Sequence, residues 1–436
     1  MSSEPSNCKH ANKVQSADKV ANPIGEIFRS YGEAYIKQYN ANLNEIKLIR
    51  NIRKCRTPAL GTIVITCKGC DAATRIYKSC GDSKCPICQS IKRIQVQDKI
   101  SQKLLNVPYQ HVTFTLPHQL NGLLKRNKKA LYNLLYQAAW QTIKSLFSSK
   151  DNVGALPGMI AIMHSWGADM KYHVHLHSLI TFGGLDEFGE WKFPKRKDKI
   201  APYRKINACF KNTYLKGIER LHKKGALVKA PFFEETIAEV KKLNWVVNNG
   251  LPQSNTDNIE EYLSRYVMKI AVSNSRISLD KITKQVHLIH NNYQNQIKGK
   301  PAPKKTKIFD PLVFIQQFLV HLPPKHFQRM RYYGIHSSIT YKKIKDTINE
   351  KLLRHQKTVK TIIQIISALL KEEILACKNC GGLEFEEQIL PADYNWLQNN
   401  IPGYKNKAPP KHPKHPKHIS KIRKAINVNG ITMFIT

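Results

Sequence analysis

Apolar positions recur at three- and four-residue spacing near the start of the chain. Ile24, Ile27, Phe28, Tyr31 and Tyr35 make one stripe, so residues 23–54 are predicted to be helical. A cysteine-dense stretch runs from Cys55 to Cys88, and Ser90 to Lys103 predicts a basic amphipathic helix. Alternation of period two then begins. His111-Val112-Thr113-Phe114-Thr115-Leu116 predicts a strand that ends at Pro117. Asn127 to Phe147 predicts a long helix with Leu131, Leu134, Leu135 and Ala138 on one face. Met159 to His164 and Val174 to Phe182 predict two strands around the turn signal Gly167-Ala168-Asp169, and so an antiparallel hairpin.

Further along, Lys192 to Lys205 reads as a basic loop and Leu243 to Val247 as a strand. Ile259 to Ile270 reads as a helix, because Leu263, Tyr266, Val267 and Ile270 recur at helical spacing. Lys298 to Lys307 reads as a Lys- and Pro-rich linker, followed by a basic, mainly helical C-terminal region. From Tyr404 to Lys424 eight of 21 residues are basic and none is acidic, and the run Lys-His-Pro-Lys-His-Pro from Lys411 opposes helix, so a disordered arm is expected. The mixture predicts an α+β chain divided at 23–103, 104–297, 298–403 and 404–436.

Charge changes this picture most. Lys and Arg total 70 against 31 acids, a formal charge of +39 over 436 residues. Folding needs no such excess, and self-repulsion opposes it. A polyanionic partner offsets it, and nucleic acid is the commonest. No run of 18 apolar residues offers a membrane span, and the first residues lack the apolar core of a signal peptide. A reducing cytoplasm is expected, where ten cysteines point to metal rather than to disulfides.

Cys67-Lys68-Gly69-Cys70 and Cys85-Pro86-Ile87-Cys88 are two Cys-x-x-Cys knuckles with 14 residues between them. Each knuckle turns two sulfurs toward one ion, so four thiolates at this spacing predict a structural zinc site. Cys55 and Cys80 are candidates for a second site or for small buried residues. Cys377-Lys378-Asn379-Cys380 is a lone knuckle with no partner pair nearby in the sequence.

His173-Val174-His175-Leu176-His177 places three imidazoles on one side of a strand, at spacings of about 7 Å. Two of them can hold a divalent ion on a rigid sheet and leave room for water and a phosphate oxygen. Asp169 in the preceding turn and His173 are the leading candidates for a third ligand, with His164 a competitor. Tyr262 and Tyr266, four residues apart, share a helix face at about 5–6 Å between Cβ atoms. Alone, that pair reads as core packing. Beside a metal that polarises a phosphodiester, a phenol becomes a usable nucleophile. Arg265 and Lys269 stand near enough in sequence to bind phosphate. No Gly-x-x-x-x-Gly-Lys-Ser/Thr loop offers a nucleotide site.

From about residue 23 to 385 these motifs resemble, in order, the rolling-circle insertion-sequence transposases of the HUH type, the insertion-sequence ninety-one group. Cys55-Arg56-Thr57, Leu60-Gly61, Ser79-Cys80 and Cys85-Pro86-Ile87-Cys88-Gln89 resemble its zinc-binding domain. Tyr109 to Pro117 resembles the entry to its catalytic domain, and His164-Ser165-Trp166-Gly167 with His173 to His177 its metal region. Tyr262-Leu263-Ser264-Arg265-Tyr266 with Ser273-Asn274-Ser275-Arg276 resembles the tyrosine helix. Leu322-Pro323-Pro324 and Arg331-Tyr332-Tyr333-Gly334 resemble the C-terminal block. Lys84, Thr62 or Ile63, and Ala168 depart from the pattern, where the family commonly has histidine, histidine and glutamine.

The resemblance implies an HUH endonuclease core: an antiparallel sheet with packed helices, the pair His175 and His177 on a central strand, and the tyrosine on a facing helix. It implies Mg²⁺ or Mn²⁺ between the histidines, attack by Tyr262 or Tyr266 on single-stranded DNA at element ends and target, and a 5′-phosphotyrosine intermediate. The setting it implies is a bacterial cytoplasm, on the nucleoid when bound to DNA. A rolling-circle replication initiator or relaxase, and a zinc-dependent DNA-binding protein with an inactive core, are the alternatives.

Overall fold

The computed structural model describes residues 22–88, 100–101, 103–149, 151–228, 231–254, 259, 271–297, 300–344, 348–353, 376–402, 425–428 and 431–434. The chain forms two compact units. One gathers Met1–Ile94, Val272–Gln316 and Val359–Thr436, and the other Gln95–Ala271 and Gln317–Thr358. Both are discontinuous in sequence.

The Gln95–Ala271 unit is built on an antiparallel sheet whose strands run, side by side, Met330–Gly334, Leu156–Trp166, Tyr172–Leu185, Tyr109–Thr115 and Val246–Gln253. The short strand Trp191–Lys192 pairs with the end of Tyr172–Leu185. The expected hairpin is present: Leu156–Trp166 and Tyr172–Leu185 pair antiparallel around the 167–171 turn. Alternation decides the faces. Val112, Phe114, Met159, Ala161, Met163, Val174, Leu176 and Ile180 join one core with the helices Lys128–Ser148 and Tyr203–Lys223. Gly217 allows the two helices to meet closely, since a Cβ there would lie 2.2 Å from a Leu134 methyl. The helix Tyr203–Lys223 escaped the sequence reading, which saw its basic start as the end of a loop. Its apolar stripe is Ile206, Phe210, Tyr214 and Ile218.

The opposite face carries a second core of Tyr109, Ile160, Ile162 and Leu179, with Ile100, Leu104, Ile259, Ile335 and Ile348 packed against them. Of the predicted helix Ile259–Ile270, only Ile259 is described, and it is buried in this second core. Most of the predicted helix Ser90–Lys103, and the tail Tyr404–Lys424, also fall outside the described residues.

In the other unit the predicted 23–54 helix is two helices, Pro23–Gln38 and Leu43–Lys54. Asn42 interrupts them. Its side chain accepts from the Asn44 and Glu45 amides at 3.0 and 3.1 Å, and Glu45 accepts from the Asn42 amide at 3.0 Å, a capping box that starts a new helix. Buried Arg53 pairs with Glu33 at 2.8 Å and donates to the Pro402 carbonyl. Thr62–Cys67 is the middle strand between Ala73–Tyr77 and Phe385–Leu390. A second sheet orders Lys304–Phe309, Val286–Asn291 and Ile277–Leu279.

One expectation is corrected here. Residues 304–307 are strand, not linker, because an edge strand tolerates lysines that carry no period of their own. The C-terminal region contributes the strand Phe385–Leu390, which needs a partner more than 300 residues away in sequence to exist. Among the described residues no helix is long and apolar enough to cross a membrane.

Candidate functional site

The middle strand of the larger sheet, Tyr172–Leu185, sends His175, His177 and Leu179 to the face away from the two long helices, the helices filling the other side with Val174 and Leu176. Register then adds neighbours. His164 on Leu156–Trp166 is the Cα partner of His175, and Thr113 on Tyr109–Thr115 is the partner of His177. His164, His175 and His177 each bring one ring nitrogen within 4.8 Å of the others. Their rings meet edge to face, with centroids 4.7 Å apart for His175 and His177 and 4.8 Å for His164 and His177. His164 and His177 are buried and His175 is half-buried, so the cluster opens to solvent on the His175 side.

The third imidazole is therefore His164, and neither leading candidate takes that place. Asp169 accepts the Lys171 amide at 3.1 Å and pairs with its ammonium at 3.5 Å. His173 is exposed. The strand register slips between His164 and Trp166, and the His173 ring, though its centroid lies 5.1 Å from that of His175, is not among the three whose nitrogens lie within 4.8 Å of one another.

Hydrogen bonds set which nitrogens face an ion. His175 donates from Nδ1 to the His173 carbonyl at 3.0 Å, which leaves its lone pair on Nε2. His177 Nδ1 lies 3.1 Å from His111 Nε2 and 3.3 Å from Thr113 Oγ1, and Thr113 Oγ1 lies 3.0 Å from His111 Nε2. Burial holds the His111 imidazole down to about 4, so His111 is neutral and can accept at Nε2. The His177 tautomer that serves this contact carries its proton on Nδ1 and its lone pair on Nε2. The sequence marks His111 and Thr113 as strand residues only. Their shared face was legible in the alternation, but their place beside His177 needed the cross-strand register.

Behind the hairpin, His321 fixes the turn. It donates from Nε2 to the Met170 carbonyl at 2.9 Å, accepts from Ser165 Oγ at 3.4 Å, and stacks on Tyr172 with centroids 6.0 Å apart. Met170 needs such support, since its φ of 62° lies in the left-handed region.

Three imidazoles, each binding through a ring lone pair, fit a divalent ion held on part of its coordination sphere. Among the described residues no carboxylate joins the three, which leaves the ion's charge for an anionic phosphodiester. Tyr262, Tyr266, Arg265 and Lys269 lie outside the described residues.

The cysteines sort otherwise than the sequence suggested. Cys67-Cys70 and Cys85-Cys88 do not share one ion's site. Cys85 and Cys88 converge with Cys55 and Cys80, all four sulfurs within 4.8 Å of one another, with Cys55 and Cys80 at 3.4 and 3.5 Å from Cys88. Cys67 and Cys70 converge instead with Cys377 and Cys380. Closeness in sequence does not decide which knuckles share an ion. Cys55 ends one helix and Cys80 follows the strand Ala73–Tyr77, and the fold brings both to the Cys85 knuckle. Four thiols this close, most of them buried, fit structural zinc.

Two family models match the chain: "Transposase zinc-binding domain" over residues 27–116 and "Putative transposase" over residues 158–343. The first spans the Cys55, Cys80, Cys85 and Cys88 cluster, and the second spans all three clustered histidines. Among curated proteins, "Putative transposase y4qJ" of Sinorhizobium fredii is 30% identical over 321 residues, 71% of this chain and 79% of that protein. "Transposase for insertion sequence element IS801" of Pseudomonas savastanoi pv. phaseolicola is 25% identical over 298 residues, 66% of this chain and 70% of that protein. No solved structure matches.

Proposed function

Since the chain belongs to the transposases of the insertion-sequence ninety-one group, DNA-processing enzymes with a structural zinc domain, we propose that it nicks and rejoins single-stranded DNA through a 5′-phosphotyrosine during rolling-circle transposition. The observation that carries this reading is the convergence of His164, His175 and His177 on one face of the central strand. Bound Mg²⁺ or Mn²⁺ would polarise the scissile phosphate and offset charge on the departing oxygen. A manganese preference suits an all-imidazole set better than magnesium, which favours oxygen donors.

The protein's own groups do the rest. His111 and Thr113 orient His177, and the His173 carbonyl orients His175. The phenol of Tyr262 or Tyr266 attacks phosphorus, the bond to O3′ breaks, and a free 3′ hydroxyl and a tyrosine-linked 5′ phosphate remain. The phenol gives up its proton and the departing O3′ gains one, so the exchange is balanced in protons. The second tyrosine or an incoming 3′ hydroxyl reverses the step on another strand. The linkage conserves the phosphodiester's energy, so no nucleotide cofactor is required. Ile259, three residues before Tyr262 in the sequence, is buried in the core on the histidine face of the sheet. Arg265 and Lys269 would bind flanking phosphates, and DNA contacts elsewhere would be electrostatic, in keeping with the +39 charge.

The test is cleavage of a labelled single-stranded element end by the full chain with Mn²⁺. Wild type should cut and become covalently labelled, with the label on a peptide containing Tyr262 or Tyr266. Normal cutting by the Tyr262→Phe, Tyr266→Phe double variant would overturn the tyrosine assignment.

A further inference from the structure

We propose that Cys67, Cys70, Cys377 and Cys380 form a second structural zinc site, split between distant parts of the chain, that clasps the C-terminal segment onto the zinc domain. The sulfur geometry comes first. Cys67 Sγ lies 3.6 Å from Cys380 Sγ and Cys70 Sγ 3.7 Å from Cys377 Sγ, and all four lie within 4.8 Å of one another. A tetrahedral ion with Zn–S bonds of about 2.3 Å has sulfur–sulfur edges of roughly 3.8 Å. The same sulfurs are far outside the S–S bond length of about 2.05 Å.

Packing does not account for the cluster. A thiol acts as a small apolar filler when it is buried. Here Cys70 and Cys380 are exposed and Cys377 is half-buried, leaving Cys67 as the buried member. Four thiols gathered at a surface gain little from one another without a shared ligand.

The backbone is shaped for the same purpose on both sides. The Asp71 amide donates to the Cys67 carbonyl at 2.9 Å, and the Gly381 amide donates to the Cys377 carbonyl at 2.8 Å, so each knuckle closes by the same turn. Gly69 and Gly382 press against the sulfurs. A Cβ on Gly69 would sit 3.5 Å from Cys380 Sγ, and one on Gly382 would sit 3.3 Å from it. Gly381 takes a φ of +73°, which a side chain would oppose.

The site also stands at the end of a strand pair. Cys67 is the last residue of Thr62–Cys67 and pairs with Phe385, and the Lys68 amide donates to the Glu384 carbonyl at 3.0 Å. An ion here would fix the register of Phe385–Leu390 and close a loop of more than 300 residues. The Cys55, Cys80, Cys85 and Cys88 site lies within one stretch of chain and holds that stretch alone. The clasp is the more exposed of the two and should give up its metal first.

Cobalt substitution in the full chain tests this, because sulfur-to-cobalt absorption reports thiolate sites and ignores histidine-bound metal. The Cys377→Ser, Cys380→Ser double variant should lose about half of that absorption and one zinc per chain relative to wild type. It should also become susceptible to proteolysis near Phe385–Leu390 while the remaining thiolate site keeps its cobalt spectrum. Unchanged absorption and zinc content in the double variant would overturn the proposal. So would thiol counting that finds these four cysteines as disulfides in protein purified under reducing conditions. Neither readout depends on DNA cleavage, so the nicking mechanism can fail while the clasp stands, and the reverse.

Discussion

His164 and His175 are direct partners across two neighbouring antiparallel strands, and their rings meet at 88° with centroids 5.5 Å apart. Two separate strands thus supply the metal candidates, and the ladder hydrogen bonds between them fix the spacing. His164→Ala should therefore weaken Mn²⁺ binding as much as His175→Ala does. The loss should exceed the roughly 10- to 100-fold that removal of an outer-shell partner costs. His173→Ala and Asp169→Ala should stay close to wild type. Mn²⁺ titration of each variant, followed by electron paramagnetic resonance, checks this, and a loss confined to Asp169→Ala would restore that residue as third ligand.

His111 acts through His177 and is a positioning residue. His111→Ala should raise the metal concentration for half-maximal cleavage by about 10- to 100-fold, with little change in rate at saturating metal. His111→Gln, whose amide oxygen can still accept from His177, should recover part of the affinity. A fall in the saturated rate with unchanged metal dependence would contradict this role.

Two glycines in the same unit separate backbone strain from crowding. Gly334 has a φ of +58°, and a Cβ there would lie 1.8 Å from the Pro157 carbonyl oxygen. Gly225 has a similar φ of +63° with nothing within 4 Å. Gly225→Ala should cost about 1 kcal/mol from conformation alone. Gly334→Ala should cost about 2–4 kcal/mol, because the strand Met330–Gly334 must also shift from its neighbour. Chemical denaturation of the two variants compares them directly.

His336 makes stability depend on pH. It is buried, lies 3.1 Å from the Tyr109 hydroxyl, and burial holds its imidazole down to about 4. The unfolded chain binds this proton below about 6.5 and the folded chain does not until about 4. The contribution is therefore complete above 6.5 and is lost as pH falls through that window, by at most about 3 kcal/mol. In denaturation between pH 7 and 4, His336→Gln should show a slope shallower by one proton, whatever its stability at pH 7. An unchanged slope would mean that the imidazole is already protonated in the fold.

Local pattern was enough for much of this protein. The alternation at His111–Leu116 and Val174–Phe182, the turn at 167–169 and the helix over 127–147 all have periods that one strand or one helix sets by itself, and the structure has an element at each. The same alternation put His175 and His177 on one face, and the knuckle spacing marked the cysteines as metal-binding. What local pattern could not carry was the identity of neighbours. His164 joins His175, His111 and Thr113 join His177, and Cys377-Cys380 joins Cys67-Cys70 only through strand register and pairings between distant segments. A ligand set is a property of three-dimensional proximity. Sequence spacing substitutes for it only when all the ligands lie on one turn or one strand, and here neither the histidine cluster nor either cysteine cluster does.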